Sequence, residues 1–321
     1  MNKRRICALL LALALLLACP GCSGSNYETA ASQYTVGVVL KTQSSEHWLR
    51  IRSGLERAAE EEGIGLLLMW PTDEFSTREQ HTMIADMLRC DIDALVVAPC
   101  DSWDCDWFRR AAGEKGIPVF TTDTAALDCT IPYIGSDNEQ IGRTAASYLQ
   151  QTLPAGSRVG IVTGFQRQQS LAARTDAFRT AMAADSRLRL SGVETDCQSF
   201  AAALEAARSL IDGGADALFC TSAVLGLGAA AAVRESGADV RIVAVDTQDD
   251  ALKAVETGAF DALITQNGEE IGRRTMETVA AALRGEIPSD EIFIPGETLT
   301  ADNITDYLDR QRAEEKTWSV S

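Results

Sequence analysis

Two aspartates, Asp123 and Asp246, are the side chains in this sequence best placed to converge on one ligand, because each directly follows a strand-like run, IPVFTT and VRIVAV. An ionised carboxylate only accepts hydrogen bonds, through two oxygens, so it suits a pair of adjacent hydroxyls. Two convergent carboxylates could also serve glycoside hydrolysis. With His47 and His81 the only histidines, no other acid–base pair is evident. The same aspartates meet a hydroxyl-rich ligand without breaking any bond, and binding rather than enzymatic turnover is the reading adopted.

Other chemical signatures fail on position. GLGAAA from Gly226 imitates a dinucleotide fingerprint but lies inside a helical stretch rather than at a strand-to-helix turn, so it is assigned to helix packing. There is no G-x-x-x-x-G-K-[ST], no G-x-S-x-G and no H-E-x-x-H, and hence no nucleotide, serine-hydrolase or zinc-protease site of those types. Cys19 and Cys22 have redox-motif spacing, yet they end an N-terminal targeting-type segment instead of joining a βαβ unit. Cys90, Cys100, Cys105, Cys129, Cys197 and Cys220 permit disulfides without fixing a pairing, and with both histidines distant they form no zinc pattern. No cofactor or metal is expected.

The elements that must carry these residues are read from periodicity. Apolar runs VGVVL (from Val36), IGLLLM (Ile64), ALVVAP (Ala94) and IPVFTT (Ile117) alternate with amphipathic stretches over 46–62, 76–89 and 103–115. A second series has RVGIVTG (Arg158), a weaker run over 188–194, DALFC (Asp216) and VRIVAV (Val240), followed by DALIT (Asp261), a helix over 268–284 and EIFIP. Alternation of this kind gives βαβ units around parallel sheets. Continuous apolar runs are strands covered on both faces, so a ligand should bind beyond their carboxyl ends.

Composition sets the frame. The chain has 321 residues, more than one core usually serves, so two α/β lobes are expected. With 46 acidic against 29 basic residues the net charge is −17, which argues against nucleic acid and against electrostatic adhesion to anionic lipid. Lys3, Arg4 and Arg5 precede an uncharged apolar run, 6–18, too short for a membrane span, and this is the layout of a secretory signal. The following ACPGCSGS resembles the lipobox of bacterial lipoproteins, whose cysteine receives diacylglycerol; Cys22 is the candidate, with Cys19 as the alternative.

Along nearly the whole remaining chain the sequence resembles the type I periplasmic binding proteins, and within them the ribose-binding group of sugar-binding components of ABC importers. The segments that carry this are, in order, VGVVLKTQSSEHWLRIRSGLERAAEEEG, ALVVAP, IPVFTTD, YIGSDNEQIGRTAASYL, LAARTDAF, IVAVDT, LITQNGEEIG and IFIPGETLTADNI. The resemblance implies two doubly wound parallel-sheet lobes joined by a three-strand hinge. The N-terminal lobe would be 34–137 plus 267–294 and the C-terminal lobe 138–266 plus 295–305, after a signal peptide over 1–22 and before a polar tail over 306–321.

It also implies a cleft. Ser45, His47 and Trp48 fall in the loop that faces ligand, where an aromatic can lie against the C–H face of a sugar ring. Asp123 falls at a hydroxyl-accepting carboxylate, and Thr124 stands where a basic residue often follows. Arg174 matches an arginine from the second lobe whose planar fork can donate two bonds at once. Asp246 matches a second carboxylate and Gln266 an amide at the hinge-side crossing. Ser222 replaces an Asn-Asp pair, and Trp103 and Trp107 are candidates for the cleft mouth. The expected ligand is a monosaccharide or related polyol. The expected partners are ABC permease subunits, or alternatively a membrane histidine kinase or chemoreceptor. The chain would be a monomer exported to the outer face of the cell membrane and held there by its N-terminal lipid.

Overall fold

A computed structural model describes residues 32–318; the signal segment and both lipidation candidates, Cys19 and Cys22, lie outside the described residues. The first series of elements is β1 (Tyr34–Val39), α1 (Glu46–Glu61), β2 (Ile64–Met69), α2 (Thr77–Met87), β3 (Ala94–Val97), α3 (Asp106–Gly113), β4 (Val119–Thr122) and β5 (Tyr133–Gly135). The second is α4 (Asn138–Thr152), β6 (Arg158–Val162), α5 (Gln169–Ala184), β7 (Arg189–Glu194), α6 (Phe200–Asp212), β8 (Ala217–Cys220), α7 (Ala223–Ser236), β9 (Arg241–Val245), α8 (Asp249–Glu256) and β10 (Ala262–Ile264). The chain ends with α9 (Gly268–Leu283), β11 (Glu291–Phe293), β12 (Thr298–Leu299) and α10 (Ile304–Trp318).

Two six-stranded sheets result, in the orders β11-β5-β4-β3-β1-β2 and β12-β10-β9-β8-β6-β7. The first five strands of each series are wound in the same order, and only β12 pairs antiparallel, with β10. β11 joins its sheet parallel, beside β5. The fold is therefore the expected pair of α/β lobes.

Strand residues alternate between the two faces of a sheet, and each face has its own core. Val36, Val38, Val96 and Phe120 pack with α1 and α9, whereas Val39, Leu95 and Val97 pack with Ile84, Met87 and Phe108 of α2 and α3. The second sheet is sandwiched in the same way. Helix pairs approach at glycine: a Cβ on Gly272 of α9 would lie 2.0 Å from the Ile51 carbonyl of α1, and one on Gly142 of α4 would lie 2.3 Å from the Arg174 carbonyl of α5. Gly226 and Gly228 do the same for α7, against Phe260 and the Phe200 carbonyl, so GLGAAA is indeed a packing surface.

Three crossings join the sheets: from β5 to α4, from β10 to α9 and from β11 to β12. Asp137 and Asn267 cap the helices that two crossings lead into, accepting from the N–H groups of Gln140 and Glu270. Thr265 binds Glu297 through both its backbone N–H and its hydroxyl, which ties the second crossing to the third.

One expectation is corrected. The polar tail expected over 306–321 is helical as far as residue 318, as part of α10, because Ile304, Tyr307 and Leu308, spaced i, i+3, i+4, pack on the second lobe's core. The six cysteines beyond the N-terminal segment are all free thiols, including the neighbouring pair Cys100 and Cys105. Among the described residues no helix is long and apolar enough to cross a membrane.

Candidate functional site: a cleft between the lobes

Asp123 and Asp246 each stand one residue beyond a strand with left-handed backbone, φ 62° and 88°. Aspartate is among the few non-glycine residues that enter this region readily. The kink lets each N–H donate to the adjacent strand, Asp123 to the Ile134 carbonyl at 2.8 Å and Asp246 to that of Ile264 at 3.0 Å. Both carboxylates are thereby turned away from the ladder at the carboxyl ends of the sheets.

In the first lobe Asp123 belongs to a buried polar chain. Lys41 Nζ donates to Thr124 Oγ1 at 2.8 Å, Thr124 Oγ1 donates to Asp123 Oδ2 at 2.9 Å, and Asp123 Oδ1 lies 2.6 Å from His47 Nε2. Burial alone would raise the Asp123 pKa, but the neighbouring His47 charge and hydrogen bond, helped by Lys41 and Arg174, bring it down to about 2. For His47 burial acts downward, and the Asp123 charge and hydrogen bond outweigh it, so the imidazole is raised above its ordinary value. The Tyr133 hydroxyl shares its single proton between the carbonyls of Asp123, at 3.0 Å, and Ser136, at 2.9 Å, fixing the turn from below. Trp48 is 2% exposed, and its indole N–H donates to Glu74 Oε1 at 2.9 Å. Burial pushes the Glu74 carboxyl up despite that bond and the nearby Lys41.

The second lobe presents a matching chain. Arg174 Nε donates to Asn138 Oδ1 at 2.9 Å, Nη1 to the Thr221 carbonyl at 2.8 Å and Nη2 to Gln266 Oε1 at 2.6 Å. Gln266 Nε2 in turn donates to Asp246 Oδ1, while the N–H of Ala223, at the start of α7, points to Asp246 Oδ2 at 3.4 Å. Each group therefore fixes the orientation of the next.

These two chains border a cavity of about 290 Å³ lined by Ser45, His47, Trp48, Arg174, Ser222, Asp246 and Gln266 among others. That volume lies at the lower limit of small-molecule sites. Asp123 and Thr124 are not among its lining residues: both Asp123 oxygens are engaged, by His47 and Thr124, and the imidazole stands in front. Trp103 is exposed, and Trp107 packs edge-on against His81 and Phe108, so neither indole lines the cavity.

The lobes touch around the cavity mouth. Ser102 N–H donates to the Arg167 carbonyl, Ser102 Oγ accepts from Gln169 N–H, Gln168 Nε2 reaches the Glu74 carbonyl, and Arg167 Nε meets Asp101 Oδ2 at 2.6 Å. Phe75 and Phe165 meet edge to face, and Asp249 N–H donates to Glu46. The cleft is closed.

Sequence reasoning missed Lys41, Glu74, Asn138, Gln168 and Ser170. A usable signal existed: Lys41 and Glu74 follow β1 and β2 at the same carboxyl-end level as Asp123. Lys41 also restores, from another strand end, the positive charge whose absence at Thr124 was noted. Among the described residues no cluster of histidine, cysteine and carboxylate groups is suited to a metal ion.

Two lobes of equal winding, hinged by three crossings and closed on a cavity lined by both apolar and polar side chains, define a binding protein of the bilobal α/β class. The chain belongs to the periplasmic binding protein domain family, which it matches over residues 36–287. It is 25% identical over 307 residues to the ribose import binding protein of Bacillus subtilis, covering 92% of this chain and 98% of that one. Its fold superimposes with a TM-score of 0.80 on an ABC transporter periplasmic solute-binding protein from Actinobacillus succinogenes 130z with bound D-allose, at 19% identity and covering 86% and 100% of the two chains. A chain of the XylFII–LytSN complex matches with a TM-score of 0.76 at 25% identity, covering 84% and 98%.

Proposed function

We propose that this protein is an exported solute-binding lipoprotein that captures a monosaccharide or related polyol and delivers it to an ABC importer. The observation that carries this reading is the closed cavity, to which one lobe contributes His47 and Trp48 and the other Arg174, Asp246 and Gln266. An indole surface beside converging donors and acceptors suits a ring with apolar C–H faces and hydroxyl edges. Ser45 and Ser222, whose hydroxyls cap neither helix they precede, add smaller polar contacts. The role is binding, with no chemical step.

The moving bodies are residues 34–137 plus 267–294 and residues 138–266 plus 295–305, turning about the three crossings. A ligand that bridges both favours the closed form by its differential contacts, and a permease then distinguishes loaded from empty protein. Cys22, or Cys19 in its place, carries the lipid that holds the protein at the outer face of the membrane. Titration calorimetry with D-ribose, D-allose and other pentoses, hexoses and polyols tests the ligand class; no heat from any of them removes the sugar assignment. Substituting Cys22 or Cys19 by serine identifies the anchor by which variant leaves the membrane fraction.

Docking on a membrane sensor rather than a permease is the second reading. The similarity to a chain of the XylFII–LytSN complex favours it, since that fold is there assembled with a second protein. Loss of labelled-sugar uptake on deleting the gene supports transport. Unchanged uptake with a lost transcriptional response to the sugar supports sensing.

A further inference from the structure

We propose that Glu74 and Gln168 together form a subsite for an ammonium group, so that the ligand is an amino sugar or an amino polyol. This rests on the reading of the cleft as a carbohydrate site and narrows its ligand class. Glu74 follows β2 in the first lobe and lines the cavity. Its Oε1 accepts from the Trp48 indole, whereas Oε2 is bonded to nothing and remains accessible. Gln168, just before α5 in the second lobe, also lines the cavity and is 1% exposed. Its Nε2 donates to the Glu74 carbonyl at 3.0 Å, which leaves Oε1 unbonded on the little surface the residue keeps. Two residues in direct contact, one from each lobe, thus each hold an acceptor oxygen without a donor.

The charges around them leave room for a cation. Asp123 has His47 at 2.6 Å and, through Thr124, Lys41; Asp246 has Arg174 through Gln266. Among the described residues Glu74 has no ion-pair partner. Lys41 and His47 act on it only through space, and Lys41 Nζ lies over the Trp48 ring, 5.6 Å from its centroid, donating to Thr124. Asp73, another lining residue, adds a further acid on the same side. A partly buried carboxylate without a cation is costly. An ammonium brings three N–H donors and no acceptor, so it can meet both oxygens at once. A hydroxyl has one proton to give, and its lone pairs then face the second oxygen. Hydrogen bonds to an ionised group are also roughly twice as strong as neutral ones. Because the two oxygens belong to different lobes, the ammonium favours the closed form.

Calorimetry at about pH 6, where an aliphatic amine is charged, compares D-glucosamine, D-galactosamine and D-glucamine with D-glucose, D-galactose and D-glucitol respectively. In at least one pair the amine should bind about tenfold or more tighter than its hydroxyl counterpart. N-acetyl-D-glucosamine, which keeps the nitrogen and loses the charge, should not share that advantage. In Glu74→Gln, whose amide oxygen can still hold the Trp48 N–H, the ratio within the pair should shrink to about threefold or less. Gln168→Met should shrink it in the same direction, with both variants checked for folding by circular dichroism. Equal affinity within every pair, or a preference that survives Glu74→Gln, overturns the inference and leaves the carbohydrate reading standing. Heat from neutral sugars such as D-ribose or D-allose with none from any amine does the same. No heat from any sugar, neutral or aminated, removes the carbohydrate reading as well.

Discussion

Asp123 and Asp246 are structural counterparts: each follows the fourth strand of its series, holds a left-handed backbone, and donates its N–H to the fifth strand, at Ile134 and Ile264. Their side chains have nevertheless diverged. Asp246 lines the cavity, while Asp123 supports the imidazole that does.

Asp246→Asn should keep the backbone, since asparagine also tolerates positive φ, while replacing a charge-assisted acceptor by an amide. Sugar affinity should drop by about tenfold or more, measured by calorimetry. Asp246→Ala should bind equally poorly and lose about 1 kcal/mol of stability besides, because a Cβ without a polar arm pays the full left-handed penalty. Equal melting temperatures for the two variants would contradict the backbone argument.

Acid stability should depend on Asp123. Its folded pKa, about 2, lies below the unfolded value, so the stabilisation is complete above about pH 4 and disappears as pH falls towards 2. With the group buried, the amount is about 2 kcal/mol. Denaturant titrations of wild type and Asp123→Asn should differ in slope against pH across that window, run parallel just above it, and differ again where His47, raised by Asp123 in the wild type, titrates.

Gly272→Ala should cost about 1–3 kcal/mol, because the added methyl meets the Ile51 backbone carbonyl, which has no rotamer with which to yield. Gly142→Ala should cost a similar amount and also weaken ligand binding, since the carbonyl it strikes belongs to Arg174. Chemical denaturation and calorimetry on both variants separate the two effects.

Arg167→Ala removes the Arg167–Asp101 pair at the cleft mouth. The arginine is half exposed, so the pair contributes at most about 1 kcal/mol, and ligand release should accelerate by up to about fivefold with association unchanged. Stopped-flow measurement of tryptophan fluorescence reads both rates.

Much of this architecture was legible in the residues. Buried strands announce themselves by unbroken apolar runs, and ALVV and ALFC are buried at every position. The three-residue β5, YIG, is too short to show periodicity and is defined only by its pairing with β4 and β11. Helix α10 was hidden because its few apolar residues are diluted by charge, and only the second lobe's core reveals their common face. At the site, Asp246 and Gln266 could be placed from strand ends and resemblance. That His47 would stand between Asp123 and the cavity could not, since it depends on how the β1 and β4 loops meet across 76 residues of sequence.

The placement of β11 has a consequence for biogenesis. This strand completes the first sheet yet lies after the entire second series, and α9, which covers α1, also comes late. On an emerging chain the N-terminal half must therefore wait, with the β5 edge unpaired and one flank of its core uncovered, until about the last tenth of the polypeptide appears. A chain cut short after Arg284 would retain that open edge and be prone to stick to its own kind.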